Sequence, residues 1–286
     1  MTIPSAPLRL HVRAPAPLRA WRFASRILHN LPHLVATRAP RVALTCYVRT
    51  ALRRPALDRW WDAKERFKQD ALRTGVFTHD WFCGNIVYWL AAFEHYMLFD
   101  QPLQVLEIGS WEGLSSRFVL DTLPLAHLTC VDTWHGADEH QGASLGLVEE
   151  HFDANLARDT HRLTKVKSTS LAFFAAQPPQ PHFDLIYIDG SHYSDDVIVD
   201  AIKGFELLKV GGVMILDDYL WRFYARRNDD PAAAIHAFLR LKAGCYELFM
   251  VYTQVILRKT VESRFDADSV GESGAAPAAA APHLSH

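Results

Sequence analysis

The chain is short of several things. No stretch of 18 or more consecutive apolar residues occurs in its 286 positions, so no transmembrane helix is expected. No apolar stretch follows Met1, which argues against a secretory signal. The four cysteines, Cys46, Cys83, Cys130 and Cys245, are scattered without metal-ligand spacing. A zinc or disulfide framework is therefore not expected, and a reduced, cytoplasmic setting is the simplest reading. There is no G-x-G-x-x-G dinucleotide fingerprint and no Asn-Pro-Pro-Tyr-like base-methylation motif. No internal repeat stands out.

One absence is local. Residues 1–57 hold ten Arg and no Lys, Asp or Glu, so an arm of formal charge +10 faces a remainder of −12. Within "PLRAWRFASRILHNLPHL", Leu18, Trp21, Leu28 and Leu31 are expected to share a helix face, with Arg19, Arg22 and Arg26 elsewhere. A basic amphipathic helix suits peripheral contact with an anionic membrane or nucleic acid, and an Arg-rich, acid-free start also resembles a transit peptide. The plainer expectation is a helical extension packed on its own acidic domain. We take residues 1–80 as a basic helical arm, 81–260 as the main domain and 261–286 as a disordered tail. The tail includes "SVGESGAAPAAAAPHLSH", which has little to bury.

What is present lies in the middle. Composition is ordinary for a globular chain, 49% hydrophobic and 22% charged. Strand-like runs at 103–109, 127–132, 162–167, 183–189, 211–218, 245–251 and 253–259 alternate with helical patterns at 113–123, 144–158, 193–208 and 231–243. Such alternation predicts an α/β fold with right-handed crossovers and a mostly parallel sheet covered on both faces. The last two strands are too close for a crossover, which predicts a closing hairpin and one antiparallel strand.

Ligands of such sheets bind beyond the carboxyl ends of the strands, and five strand ends in a row carry polar or Gly-rich residues. The first, "LEIGSWEGLSS", contains Glu107-x-Gly109-x-x-x-Gly113 with Ser110 and Ser115. The glycines permit a tight turn and close backbone approach. Glu107 would repel a pyrophosphate and welcome a cationic ligand, which weakens the case for a nicotinamide-dependent oxidoreductase. Asp132 ends the second run, with Thr133 and Trp134 next, at the distance where such folds place an acid on ribose hydroxyls. A turn cap is the structural alternative for Asp132, and closing the core is the alternative for Trp134. Ser168 follows the third run.

The motifs "LEIGSWEG", "CVDTW", "YIDGSH" and "LLKVGGVMILDDY" make residues 81–259 resemble a class I S-adenosylmethionine-dependent methyltransferase. The resemblance is strongest to the branch containing metal-dependent O-methyltransferases of sugars and natural products. It implies a Rossmann-like three-layer sandwich with sheet order 3-2-1-4-5-7-6 and strand 7 antiparallel, in keeping with the hairpin. It also implies S-adenosylmethionine as cofactor, near Glu107, Gly109, Ser110, Gly113, Ser115, Asp132, Thr133, Trp134, Ser168 and Asp189.

Asp189 leaves the fourth run, and Asp217 with Asp218 leaves the fifth. Neighbouring strands lie about 4.8 Å apart, so these carboxylates converge, and with no nearby Lys or Arg they repel. A divalent cation, Mg²⁺ or Mn²⁺, relieves that repulsion and lowers the pKa of a bound hydroxyl. In the resembling enzymes the strand-four Asp and the acidic pair bind the metal, which here means Asp189, Asp217 and Asp218. A His three residues beyond the first Asp is the general base in part of that branch, which here is His192. Helix and turn capping is the alternative for Asp189, and Asp195 and Asp196 are expected to be first-turn helix acids. "DEHQG" at 138–142 reads as a solvated loop.

The expected activity is O-methylation of a small-molecule or glycan hydroxyl. A metal-independent methyltransferase using His192, and a non-catalytic binding module, are the alternatives. The acidic domain argues against a nucleic-acid substrate. Trp221, Arg222 and Arg226 either grip an anionic or sugar acceptor or cover the sheet edge. A homo-oligomer is compatible with all of this.

Overall fold

A computed structural model describes residues 16–136, 145–178 and 180–262. The expected tail beyond 262, the 138–142 loop and the side chains of Leu18, Trp21, Arg19, Arg22 and Arg26 lie outside the described set. Seven strands form one sheet: β1 Gln104–Ile108, β2 His127–Asp132, β3 Leu163–Lys167, β4 Phe183–Ile188, β5 Leu208–Leu216, β6 Tyr246–Val251 and β7 Val255–Lys259. Their order is β3-β2-β1-β4-β5-β7-β6. Strands β3 through β5 run parallel, and β7 is antiparallel to both β5 and β6. The expected fold and the closing hairpin are both found.

Alternation along each strand sends side chains to opposite faces, and each face has its own core. Val105, Leu128, Leu185, Tyr187 and Ile215 pack with Trp89 and Phe93 of α4 (Ile86–His95), Phe118 of α5 (Leu114–Thr122) and Phe152 of α6 (Val148–Leu156). Leu106, Ile108, Ile186, Ile188 and Met214 pack with Phe205 of α8 (Ser194–Leu207) and Phe238 of α9 (Pro231–Leu241). Fully burying one such side chain is worth about 1.5–3 kcal/mol.

A helix not expected from the sequence, α7 (Ser170–Ala176), follows β3. Its start is set by Thr169, whose hydroxyl accepts from the Ala172 amide at 3.2 Å. Pro231 at the first position of α9 is preset for helix, and the preceding Asp230 stays extended.

The N-terminal arm is helical, with α1 Ala16–Ala36, α2 Arg41–Arg53 and α3 Trp61–Thr74. It packs on the sheet edge, with His33 and Leu34 buried and Leu28 and Leu31 exposed. Arg59 pairs with Glu94 of the main domain, and polar groups make further contacts. Arg49 donates to the Leu248 carbonyl at 2.9 Å, and the Thr50 hydroxyl accepts from the Val251 amide at 3.0 Å. Arg240 donates to the Arg38 carbonyl at 2.8 Å. No described helix is long and apolar enough to cross a membrane.

Candidate active site

A cleft of about 790 Å³ opens at the carboxyl ends of β1, β2, β3 and β4, a size suited to a small-molecule site. The strand ends are tied in sequence. Gly109 N donates to the Val131 carbonyl, Asp189 N to the Ile108 carbonyl and Asp217 N to the Ile188 carbonyl, at 2.8 to 3.0 Å. Gly109 sits just past the end of β1, against the backbone that leaves β4. Its φ is +84°, and a Cβ there would lie 1.9 Å from the Asp189 carbonyl oxygen, so no other residue fits.

Asp132 organises the turn after β1. One carboxylate oxygen accepts from the amides of Ser110 and Trp111, both at 2.8 Å, and the other from the Trp134 amide at 2.7 Å. Asp132 lines the cleft with Gly109, Ser110, Ser115, Thr133, Ser168 and Asp189. Of the expected cofactor contacts, Glu107, Gly113 and Trp134 are not in the lining. Gly113 adopts φ +81° as the residue before α5 and lies 3.1 Å, measured from an added Cβ, from the Phe152 ring. Its role is the turn and its packing.

Glu107 lies behind the cleft rather than in its wall. It is 1% exposed and points to α5 rather than to a ligand. Ser115 donates to it at 2.5 Å, Ser110 at 3.0 Å, Cys130 at 3.3 Å, and Ser116 donates as well. Burial pushes its carboxyl above the usual range, against the pull of the three hydroxyls and the thiol. Trp134, 3% exposed, packs on Phe152 and donates from Nε1 to the Trp111 carbonyl at 2.9 Å. It helps close the core.

The acids of β4 and β5 meet as the spacing predicts, with a different partition. Asp189, His192 and Asp218 bring one ligand atom each within 4.8 Å of one another. His192 Nε2 lies 2.7 Å from Asp218 Oδ2 and 4.0 Å from Asp189 Oδ1. Asp217 is outside this group. Its Oδ1 accepts from the Asp218 amide at 2.7 Å, and its Oδ2 faces the Tyr187 hydroxyl and Nε2 of Gln254, the latter at 2.5 Å. Tyr187 also lies 2.6 Å from Asp189 Oδ2. One phenolic proton serves two carboxylates, so a shared or retained proton is favoured there. Burial, then the neighbouring Asp218, pushes Asp217 up to about 7. Burial, then Asp217 and Asp218, raises Asp189 well above the carboxylate range.

Gln254 is a residue the sequence gave no reason to single out. It is fully buried in the β6–β7 turn, accepts from Trp89 Nε1 at 2.7 Å and from the Tyr252 hydroxyl at 2.6 Å, and fixes Asp217. The cleft walls hold others: Phe77, His79, Trp81 and Trp111 on one side, Tyr193 and Tyr224 on the other. His79 stacks on Trp81 at 4.5 Å, and Trp81 leans on Trp111 at 5.5 Å. Phe77 and His79 come from the segment read as part of the arm. Asp195 and Asp196 do occupy the first turn of α8, and Asp196 also reaches the cleft lining.

The sheet order, its single reversed strand, and a cleft over the Gly109 turn with Asp132 beneath it define the class I S-adenosylmethionine-dependent methyltransferase fold. Residues 106–219 match a family model described as "Methyltransferase domain". Among solved structures it is similar to a protein from Corynebacterium glutamicum, at 20% identity over 70% of this chain and 91% of that one, with TM-score 0.47. It is also similar to a putative O-methyltransferase from Klebsiella pneumoniae, at 17% identity over 72% and 90%, TM-score 0.48. A third is the O-methyltransferase TomG from Streptomyces achromogenes, at 14% identity over 70% and 90%, TM-score 0.47. Likenesses of this depth concern the shape of the domain and say nothing of substrate. No curated protein matches the chain in sequence.

Proposed function

We propose that the protein methylates a hydroxyl of a ring-bearing small molecule with the help of a divalent cation. The observation that carries this reading is the gathering of Asp189, His192 and Asp218 at the edge of the cleft. Two carboxylates, with a third behind them, supply the oxygen donors that a hard cation such as Mg²⁺ or Mn²⁺ takes, and Mn²⁺ accepts the imidazole more readily than Mg²⁺ does. The donor set fits, and these three residues would hold it. A bound cation polarises the acceptor oxygen and lowers the pKa of its hydroxyl.

The cofactor-side residues also fit their expected group. Asp132 spends one lone pair of Oδ1 and two of Oδ2 on backbone amides, and the remaining capacity of Oδ1 suits a ribose hydroxyl. S-adenosylmethionine supplies a methyl group already activated on sulfur, so the protein's part is alignment, water exclusion and removal of one proton. Trp81, Trp111, Tyr193 and Tyr224 supply flat apolar surface on which a ring is held.

A second reading rests on the 2.7 Å contact between His192 and Asp218. In it Asp218 positions the imidazole and His192 itself takes the acceptor proton, without metal. A panel of hydroxyl acceptors, assayed for S-adenosylhomocysteine production with Mg²⁺ and with chelator, decides between them. Activity that vanishes with chelator and returns with Mg²⁺ supports the first reading. Full activity in chelator with a His192-dependent pH profile supports the second. Tight NAD binding by calorimetry, with no binding of S-adenosylhomocysteine, overturns both.

A further inference from the structure

A second hollow of about 230 Å³ lies beside the main cleft, between α1 and the 222–230 segment. Tyr224 lines both spaces. The hollow is also bounded by His33, Arg222, Arg227 and Asp230. His33 is 2% exposed, yet neither ring nitrogen has a hydrogen-bond partner among the described residues. A buried imidazole with two unused polar atoms needs an explanation, because such groups are nearly always satisfied.

The charges around it point one way. Arg222 and Arg227 are both close enough to depress protonation of His33, after burial itself. Arg222 donates to Asn30 Oδ1 on α1 at 2.7 Å. Asp230 is the single acid of the wall and is 1% exposed. Its Oδ1 accepts from the amides of Phe223 and Tyr224, both at 3.2 Å, so it anchors the segment. Arg226, singled out in the sequence, instead pairs with Asp229 at 2.8 Å. Two guanidiniums against one occupied carboxylate, with an imidazole to spare, is the chemistry of an oxyanion site.

We propose that His33, Arg222 and Arg227 bind a phosphate or carboxylate group carried by the methyl acceptor, whose ring lies past Tyr224 in the main cleft. This rests on reading that cleft as the methyl-transfer site. It makes α1 of the basic arm part of the substrate site, and it makes the acceptor an anion.

The test titrates inorganic phosphate, acetate and phenyl phosphate into the full chain labelled at histidine nitrogen, with S-adenosylhomocysteine binding measured in parallel. Saturable binding of at least one free anion in the millimolar range, with a shift of the His33 ring signals, is expected. Arg222→Met and Arg227→Met each weaken it at least about tenfold, the scale of a lost charged hydrogen bond. Arg226→Met leaves it unchanged. Phenyl phosphate binds about tenfold more tightly than phosphate, because its ring reaches the cleft. His33→Gln abolishes the effect, and the arginine variants decide the matter if that variant does not fold. No saturation by any probe, or equal binding by the arginine variants, overturns the subsite. Equal affinity for phosphate and phenyl phosphate overturns its link to the acceptor. Failure of every form to bind S-adenosylhomocysteine overturns the methyltransferase reading instead, and leaves the anion result legible.

Discussion

Glu107 and Asp189 are both acids at the carboxyl ends of adjacent strands, and they live in opposite surroundings. Glu107 is enclosed by three hydroxyls and a thiol that all donate to it. Asp189 has one phenolic partner, shared with Asp217, and faces two further carboxylates. The first arrangement gives the carboxyl a full set of donors inside the fold and serves the fold. The second leaves negative charge uncompensated at the edge of a cleft, where a ligand can compensate it. A strand-end acid is thus structural or functional according to the donors that its neighbours supply.

The comparison breaks most completely at the point that joins the two strands. Gly109→Ala forces a Cβ against the Asp189 carbonyl. We expect more than about 4 kcal/mol of lost stability, in the exceptional range for a point change, and loss of S-adenosylhomocysteine binding, read by denaturant unfolding and calorimetry. Glu107→Leu strands several buried donors and should cost about 3–5 kcal/mol, the range for breaking a buried polar network. Asp189→Asn removes an acid whose ionisation burial and its neighbours oppose, and it is expected to raise the stability of the ligand-free protein while abolishing turnover. If both substitutions destabilise alike, the contrast between the two acids is wrong.

Asp218→Asn tests the functional side directly. Turnover is expected to fall roughly 10²–10³-fold, as when a preorganised electrostatic contact is removed, with S-adenosylhomocysteine affinity unchanged. A gentler probe is pH. Asp217 holds its proton more tightly folded than unfolded, with its pKa raised to about 7. Its contribution to stability is therefore fully present near pH 4 and is lost as pH rises through 7. Unfolding free energy of the ligand-free protein should decline across that window, and Mg²⁺ should flatten the decline. The smallest effect belongs to Asp195→Asn, a first-turn acid of α8, at about 0.3–1 kcal/mol with activity retained.

Much of the fold was legible because it rests on local pattern. The strand runs ending at Asp132, Asp189 and Asp217 were visible as apolar stretches that stop at an acid. The short gap before Val255 announced the hairpin and hence the reversed β7. The α7 helix was missed because "SLAFFAA" is short and its only marker is the Thr169 cap. For the arm, periodicity names a stripe without saying which side finds a partner: His33 and Leu34 are buried, and Leu28 and Leu31 stay exposed.

By itself, then, the sequence determined the layered sheet, the order in which its ends carry chemistry, and the convergence of three carboxylates. These follow from hydrophobic period and strand spacing, which are properties of contiguous residues. Only the tertiary structure decided which groups face the cleft. The Asp217-Asp218 pair lies just past the end of β5, where Asp218 turns to a left-handed backbone of φ +55°, so the pair divides: Asp217 turns to Tyr187 and Gln254, and Asp218 joins His192. Gln254 lies 37 residues from Asp217, and His33 lies nearly two hundred residues from Arg222 and Arg227. No local pattern encodes such meetings; burial and charge in the folded chain do.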